Sequence, residues 1–265
     1  MSSNVDSTLD STGRFAYAPD MTYPGGKNGA GVYQTIINNI PPHRLYIEPF
    51  LGSGAVMRNK LPAQSSIGID ADERVLEGRW HGFEIPNLSL VHSSALDFLR
   101  SYHFKPDVFV YCDPPYLAET RRGHHRRIYR CEMMSREEHE ELLDVLLLLP
   151  CMVAISSYHS GLYAEKLSAW RAISFQAQTR SGKSATEWLW MNYPEPAELH
   201  DYRYLGENYK KRQDFKRMRQ RWMSKLRRMP AIKRYAMLSA IEEVFSDHTG
   251  KNACGGSPIT NSDSR

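Results

Sequence analysis

Short apolar runs alternate with amphipathic segments along most of the chain. The runs rich in β-branched and aromatic side chains predict buried strands at residues 45–48, 66–70, 88–91, 108–112, 152–155, 170–175 and 187–192. The segments between them predict helices at residues 28–40, 52–60, from 72 onward, 95–102, 135–150 and 161–168. Strands that alternate with helices predict an α/β fold, with a mostly parallel seven-stranded sheet and helices on both faces.

Several element ends carry their own signals. Ser135 followed by Glu138 predicts a capping box, and Pro150 ends that helix, on whose surface we expect His139. Near the C-terminus an apolar stripe at helical spacing predicts a helix that packs this stripe on the body of the protein before Pro230 interrupts it. The stripe consists of Phe215, Met218, Trp222, Leu226 and Met229.

Charge is distributed unevenly over the 265 residues. The formal net charge is +4, from 34 basic and 30 acidic residues, yet residues 207–234 hold 12 Lys and Arg against Glu207 and Asp214. A basic segment on an otherwise mildly acidic chain predicts contact with a polyanion, and nucleic acid is the expected partner.

Other compositional features narrow the class of protein. No apolar stretch reaches membrane-spanning length, and residues 1–11 are polar and acidic, so neither a membrane partner nor a signal peptide is expected. The four cysteines lie far apart without metal-ligand spacing, which predicts no metal site and a reducing, cytoplasmic location.

The run Val108 to Cys112 ends abruptly in Asp113-Pro114-Pro115-Tyr116. Two prolines have no backbone N–H and a fixed φ, so the strand cannot continue and a rigid corner forms at its carboxyl end. A carboxylate, a prolyl carbonyl and an aromatic ring suit a planar base that bears an amino group, since the oxygens can accept its hydrogens and the ring can stack on it. Cys112 should point away from Asp113 into the core.

A second candidate site lies where the strand at 45–48 meets Gly52-Ser53-Gly54. Glycine permits close backbone approach to a ligand, and the following helix begins beside it. Met57 replaces the third glycine of a dinucleotide fingerprint, so a nicotinamide-dependent oxidoreductase is poorly supported. Asp70 ends the next strand, where such folds place an acid on ribose hydroxyls.

Together with Tyr23-Pro-Gly-Gly-Lys27, these stretches resemble the Dam-like class of adenine-specific DNA methyltransferases. The motifs Tyr23 to Lys27, Glu48-Pro-Phe-Leu-Gly-Ser-Gly54 and Asp113 to Tyr116 occur in the family's order, and Asp97-Phe98 and Thr186 to Tyr193 are similar to further segments. The resemblance covers about residues 21–195. It implies a Rossmann-like methyltransferase fold over residues 21–199. Outside this range, composition and charge predict a basic helical segment at 200–245 and disordered tails at 1–20 and 246–265.

The resemblance also implies a role for each matched residue. S-adenosylmethionine is the implied cofactor, with contacts from Tyr23, Lys27, Phe50, Gly52, Gly54, Asp70, Asp97, Phe98 and Asp113. Asp113 and the Pro114 carbonyl would accept hydrogen bonds from the amino group of a flipped adenine, on which Tyr116 would stack. The implied substrate is double-stranded DNA.

Basic residues near the catalytic corner are candidates for holding the nucleic acid. They are Arg121, Arg122, Arg126, Arg127 and Arg130, with Arg180 and Lys183 in a later loop. The chain has no room between Asp70 and Asp113 for a separate target-recognition domain, so RNA adenine and the exocyclic amine of cytosine remain alternative targets. A non-catalytic nucleic-acid-binding protein with a decayed methyltransferase fold is a further alternative. The sequence leaves open the oligomeric state and whether the role is restriction-modification, phage or solitary.

Overall fold

The computed structural model describes residues 27, 29, 31–80, 82–120, 135–178 and 184–250, with side chains through residue 245. It divides into two compact units, with the boundary between Arg212 and Gln213. The strands of the first unit are β1 (Leu45–Glu48), β2 (Ser65–Asp70), β3 (Leu88–His92), β4 (Val108–Cys112), β5 (Met152–Ser157), β6 (Arg171–Gln178) and β7 (Ser184–Met191). Its helices are α1 (Val32–Ile37), α2 (Ala55–Asn59), α3 (Glu73–Arg79), α4 (Ala95–Ser101), α5 (Arg136–Leu147) and α6 (Gly161–Lys166), with one 3-10 turn at Ala118–Thr120.

All seven strands form one sheet in the order β3-β2-β1-β4-β5-β7-β6. The first five strands in this order are parallel, whereas β7 runs antiparallel to both β5 and β6. The predicted fold class is confirmed as far as its architecture goes: this is a Rossmann-like α/β fold with a mostly parallel seven-stranded sheet and helices on both faces.

Each face of the sheet carries its own apolar core. One core combines α1, α2 and α3 with alternate strand residues such as Tyr46 and Tyr111, and the other combines α4, α5 and α6 with Ile47 and Cys112. Because β4 is covered on both faces, all five of its residues are buried and its sequence is apolar throughout. Cys112 is completely buried and on the opposite core from Tyr111, as the alternation of strand side chains predicts.

Element ends agree with the sequence in some places and differ in others. The capping box at Ser135 and Glu138 is present at the start of α5, but α1 begins only at Val32, because Gly31 before it has a φ of 93°. The surface position expected for His139 is wrong. Its side chain is fully buried and lies 2.9 Å from the Tyr163 hydroxyl, on the same face of α5 as Leu142, Leu143 and Leu146.

Two long helices follow the sheet: α7 (Tyr209–Arg228) and α8 (Ala231–Gly250), with Pro230 between them as expected. Within α7, Met218 and Trp222 are exposed, whereas Phe215 and Leu226 are half-buried, and the packing of this apolar stripe on the body stays a prediction. No helix in the described ranges combines the length and the apolar character needed to cross a bilayer.

Candidate active site

The functional candidates converge where β1 and β4 lie side by side in the sheet. From β1 the chain adds β2 and β3 on one side, and from β4 it adds β5 on the other, so the strand order reverses between these two strands. Open α/β sheets bind their ligands in the crevice outside the carboxyl ends of the strands at such a reversal. Glu48 is the last residue of β1, and Asp113 directly follows β4. The sheet therefore places two carboxyl groups at the position where this architecture forms sites.

Lys27 lies at the centre of the charged cluster at this edge. Its Nζ atom is 2.8 Å from Asp113 Oδ1 and 3.2 Å from Glu187 Oε2, and the Lys27 side chain is only 5% exposed. The same ammonium donates a hydrogen bond of 2.5 Å to the Tyr116 hydroxyl. One buried cation thus bridges two carboxylates that lie far apart in the sequence.

Tyr116 completes the cluster. Its hydroxyl donates to Glu187 Oε2 at 3.0 Å, while the Lys27 ammonium lies 4.7 Å from the centre of its ring. The ring of Tyr158 packs edge-on against it, with the ring centres 4.6 Å apart. Both ends of the Tyr116 side chain are therefore held, which fixes the orientation of its ring beside Asp113.

The cluster changes the acidity of its members. Burial raises the pKa of Asp113 to about 6, and the like charge of Glu187 adds to this, whereas Lys27 opposes it. Burial alone would lower the pKa of Lys27, but the two carboxylates outweigh burial and raise it above its ordinary value. Near neutral pH Asp113 is therefore mainly an anion, close to the range in which it gains a proton.

Glu48 is a second buried carboxyl group, close enough to Asp113 for the two to interact electrostatically. The Tyr46 hydroxyl donates to Glu48 Oε2 at 2.9 Å, and burial, reinforced by the charge of Asp113, raises the pKa of Glu48 to about 8. Lys60 is buried with its Nζ 4.3 Å from the centre of the Tyr46 ring, and burial lowers its pKa to about 7. Glu48 is thus mainly protonated at neutral pH, which leaves Asp113 as the more readily ionised carboxyl group of the two.

The glycine loop after β1 adopts the backbone that its sequence requires. Gly52 and Gly54 have φ values of 46° and 58°, a region that side chains disfavour. A Cβ atom at Gly54 would lie 2.1 Å from Trp80, whose indole N–H donates to the Gly52 carbonyl. Asp70 accepts a hydrogen bond of 2.9 Å from the Gly52 amide, and burial raises its pKa. The loop and the acid at the end of β2 therefore form one connected unit.

Asp97 and Phe98, for which the family resemblance implies contact with the cofactor, lie in the first two turns of α4. Ser94 caps this helix and hydrogen-bonds to the carboxylate of Asp97, which is exposed. The ring of Phe98 stacks on Tyr102 at 5.2 Å, and both Phe98 and Phe50 pack against the core formed by α4, α5 and α6. In this arrangement Asp97 stabilises a helix start, and its proposed contact with a cofactor stays a prediction.

The structure thus brings Lys27, Asp113 and Tyr116 into one cluster and joins Gly52 to Asp70. The remaining predicted contacts lie outside the described residues: Tyr23, Arg121, Arg122, Arg126, Arg127, Arg130, Arg180 and Lys183. The roles assigned to all of these residues remain predictions.

Sequence reasoning missed Glu187 as a site residue. It lies on β7 on the same face as Leu189 and Met191, and it is 8% exposed. An acid on the otherwise apolar face of a strand was the available signal, because burying a carboxylate requires a partner. The identity of that partner, Lys27, depends on the tertiary fold.

The described part of the chain contains no candidate metal-binding site. No group of three or more His, Cys, Asp or Glu side chains there is arranged to hold an ion.

No protein-family model and no curated protein matches this chain. Among solved structures it is similar to precorrin-8w decarboxylase of Methanobacterium thermoautotrophicum (12% identity, 65% of this chain and 94% of that one, TM-score 0.43). It is also similar to precorrin-6y C5,15-methyltransferase of Geobacter metallireducens (12% identity, 66% and 95%, TM-score 0.41) and to an rRNA methylase of Streptococcus thermophilus (13% identity, 60% and 93%, TM-score 0.40). At these identities the substrate of this chain does not follow from theirs.

Proposed function

We propose that this protein is an S-adenosylmethionine-dependent DNA methyltransferase of the Dam-like class, which methylates the exocyclic N6 amine of adenine. The observation that carries the proposal is the Asp113 to Tyr116 corner at the carboxyl end of β4. There a carboxylate with a pKa of about 6 and an oriented aromatic ring lie at the strand-order reversal.

The residues of the loop after β1 fit the implied cofactor. Gly52 and Gly54 permit the left-handed backbone of this loop, and the Asp70 carboxylate can accept hydrogen bonds from ribose hydroxyls in addition to those from the Gly52 and Asp72 amides. Phe50 stands next to this loop and offers an apolar surface. S-adenosylmethionine would supply an activated methyl group on its sulfonium.

Asp113 and Pro114 would act on the base to be methylated. The lone pair of an adenine amino nitrogen is delocalised into the ring, which makes the nitrogen a poor nucleophile. Hydrogen bonds from its two N–H groups to the Asp113 carboxylate and the Pro114 carbonyl favour a tetrahedral nitrogen with an available lone pair. Positioning would then contribute much of the rate, and the proton that the methylated amine must lose would pass to the Asp113 carboxylate, which accepts its hydrogen bond, and from there to solvent.

Lys27 and Glu187 would set the state of that carboxylate. Lys27 holds one oxygen of Asp113 at 2.8 Å and favours its ionised form, while Glu187 holds Lys27 and the Tyr116 hydroxyl. In this arrangement Tyr116 presents its ring to the flipped base, where stacking is worth about 1–3 kcal/mol.

Transfer of a labelled methyl group from S-adenosylmethionine to genomic DNA and to total RNA, with digestion to nucleosides, tests the proposal. We expect methyladenosine in the deoxynucleoside pool. Asp113→Ala should reduce transfer by at least ~1,000-fold, while cofactor affinity stays within a few-fold.

Asp107→Asn provides the matched control. Asp107 is a half-exposed carboxylate just before β4, whose only ion pair is a distant one of 3.9 Å to Arg44 among the described residues, so transfer should stay near the wild-type rate. A ribonucleoside or methylcytosine product would replace adenine in DNA as the target. Full activity of Asp113→Ala, or absence of cofactor binding in the wild type, would contradict the proposed enzyme and favour a non-catalytic binding protein.

A further inference from the structure

Helix α8 presents an unusual amount of apolar surface to solvent. Seven large apolar side chains between residues 232 and 245 are at least 40% exposed, and they reach 76% at Ile232 and 69% at Phe245. They are Ile232, Tyr235, Met237, Leu238, Ile241, Val244 and Phe245. A helix with this much apolar surface is normally covered by another element.

Five of these seven residues are placed symmetrically about Leu238. Tyr235 and Ile241 lie three positions before and after it, and Ile232 and Val244 lie six positions before and after it. Tyr235, Leu238, Ile241 and Phe245 recur at steps of three or four, so they form a continuous stripe along the helix. Within this stripe Tyr235, Leu238 and Ile241 keep the same spacing when the helix is inverted, so this part of the stripe can pair with an inverted copy of itself.

The charges of α8 follow the same symmetry with opposite sign. Lys233 and Arg234 lie five and four residues before Leu238, whereas Glu242 and Glu243 lie four and five residues after it. In an antiparallel pair centred on Leu238, the basic half of each helix lies at the level of the acidic half of the other. In a parallel pair, like charges would meet at both ends.

The helix dipole favours the same arrangement. The basic residues stand in the first turns of α8, where the positive end of the dipole disfavours cations. An inverted second helix brings its acidic side chains and its negative end to that position, which offsets the unfavourable placement.

We propose that α8 is a self-association surface, through which two copies of this chain pair antiparallel about a two-fold axis at Leu238. The interface is isologous, since each copy contributes the same stripe. Nucleic acid is a poorer occupant, because the second half of the helix is acidic and the stripe is apolar. Since the described stripe covers only about four turns, or ~20 Å, the dimer should be in equilibrium with monomer at micromolar concentrations.

Sedimentation velocity of the full chain over a wide concentration range tests this proposal. We expect a reversible monomer–dimer equilibrium, and Leu238→Glu should raise the dimer dissociation constant roughly 100-fold, because it buries two carboxylates at the axis. Leu148→Glu is the matched control. Leu148 is the more exposed leucine at 83% and lies outside α8, so this change should leave the equilibrium unaltered.

Charge reversal tests the orientation without touching the apolar stripe. Changing Lys233→Glu and Arg234→Glu together should weaken the dimer about 10-fold, since both ends then carry like charges. Adding Glu242→Lys and Glu243→Lys to the same chain inverts these four charges and should restore the dimer.

Three results would overturn the proposal. They are a monomer at all concentrations, a dimer that survives Leu238→Glu, and a fourfold charge inversion that fails to restore association. Circular dichroism of each variant shows whether α8 remains helical. None of these outcomes depends on methyl-transfer activity, so they are separate from the test of Asp113.

Discussion

The two units of this protein carry their charges in opposite ways. At the β1–β4 reversal, Lys27, Asp113 and Glu187 are largely buried, and the Lys27 ammonium lies within 3.2 Å of both carboxylates. Along α7, by contrast, cations such as Arg219 and Arg221 are exposed. Burial makes each charge depend on its partners and shifts the pKa values of Lys27 and Asp113, whereas water weakens the interactions of the exposed charges. The same residue type should therefore have very different effects in the two places.

Removal of the buried cation should have the largest effect. Lys27→Met leaves Asp113 and Glu187 without their shared partner, and breaking such a buried pair costs about 3 kcal/mol of stability. Loss of the cation also raises the pKa of Asp113 further, so the acid limb of methyl transfer should move above pH 6. Urea unfolding and a pH–rate profile measure the two effects. Lys105→Met, at an exposed site, should change neither.

Removal of the charge on Glu187 should shift the acid limb of the pH–rate profile in the opposite direction, towards lower pH. Because Glu187 raises the pKa of Asp113, Glu187→Gln should shift the acid limb below pH 6. Activity should fall roughly 10-fold, since Tyr116 and Lys27 lose a charged hydrogen-bond partner. An equal shift in the same direction for both variants would contradict the proposed balance at Asp113. Adding Glu187→Gln to Lys27→Met should recover part of the lost stability.

The effect of one added methyl group on stability should likewise depend on whether its position is crowded or open. Gly54→Ala places a Cβ 2.1 Å from Trp80 at a φ of 58°, so we expect a loss of about 2–4 kcal/mol in unfolding free energy. Gly78→Ala in α3 meets no atom within 4 Å and should stabilise by about 0.5–1 kcal/mol. Equal effects in a denaturant titration would mean that the loop at Gly54 is not held against Trp80.

The buried carboxyl group of Glu48 predicts that its replacement stabilises the folded protein, and more so at higher pH. Its folded pKa of about 8 lies above its ordinary value of 4.5, so the folded state binds the proton more tightly and stability falls as pH rises between these values. Glu48→Gln removes this loss, and it should be more stabilising at pH 8 than at pH 5, by about 3 kcal/mol. Lys60, with its pKa lowered to about 7, acts in the opposite sense and gains stability as pH rises from 7 towards 10.5. Unfolding of both proteins at the two pH values measures the difference.

The exposed cations should give the smallest effect. If α7 contacts nucleic acid, Arg219→Gln and Arg221→Gln should each weaken binding about threefold at low salt and reduce the salt slope by ~0.9. The two changes should be additive, unlike those at Lys27 and Glu187, because water separates them. Lys105→Gln is the control for net charge. A salt-independent loss would show a structural role for these arginines instead.

The sequence predicted best where a single residue type decides local structure. The prolines after Asp113 end β4, and the alternation of apolar residues separates Tyr111 from Cys112 onto different faces. The predicted surface position of His139 was wrong because it relied on the residue type, although the spacing of His139 to Leu142, Leu143 and Leu146 places it on the buried face of α5. The pairing of Lys27 with Glu187 could not be predicted, since it depends on the antiparallel return of β7 beside β5.

The spacing of the cluster along the chain has a consequence for folding. Tyr116 binds Lys27, 89 residues before it, and Glu187, 71 residues after it. Contacts this distant close large loops and form only after most of the sheet exists. During synthesis, the complete constellation can assemble only once β7 has left the ribosome and joined the sheet. A truncated or partly folded chain would therefore hold the Asp113 corner without its charge partners, which ties the maturation of the proposed active site to completion of the domain.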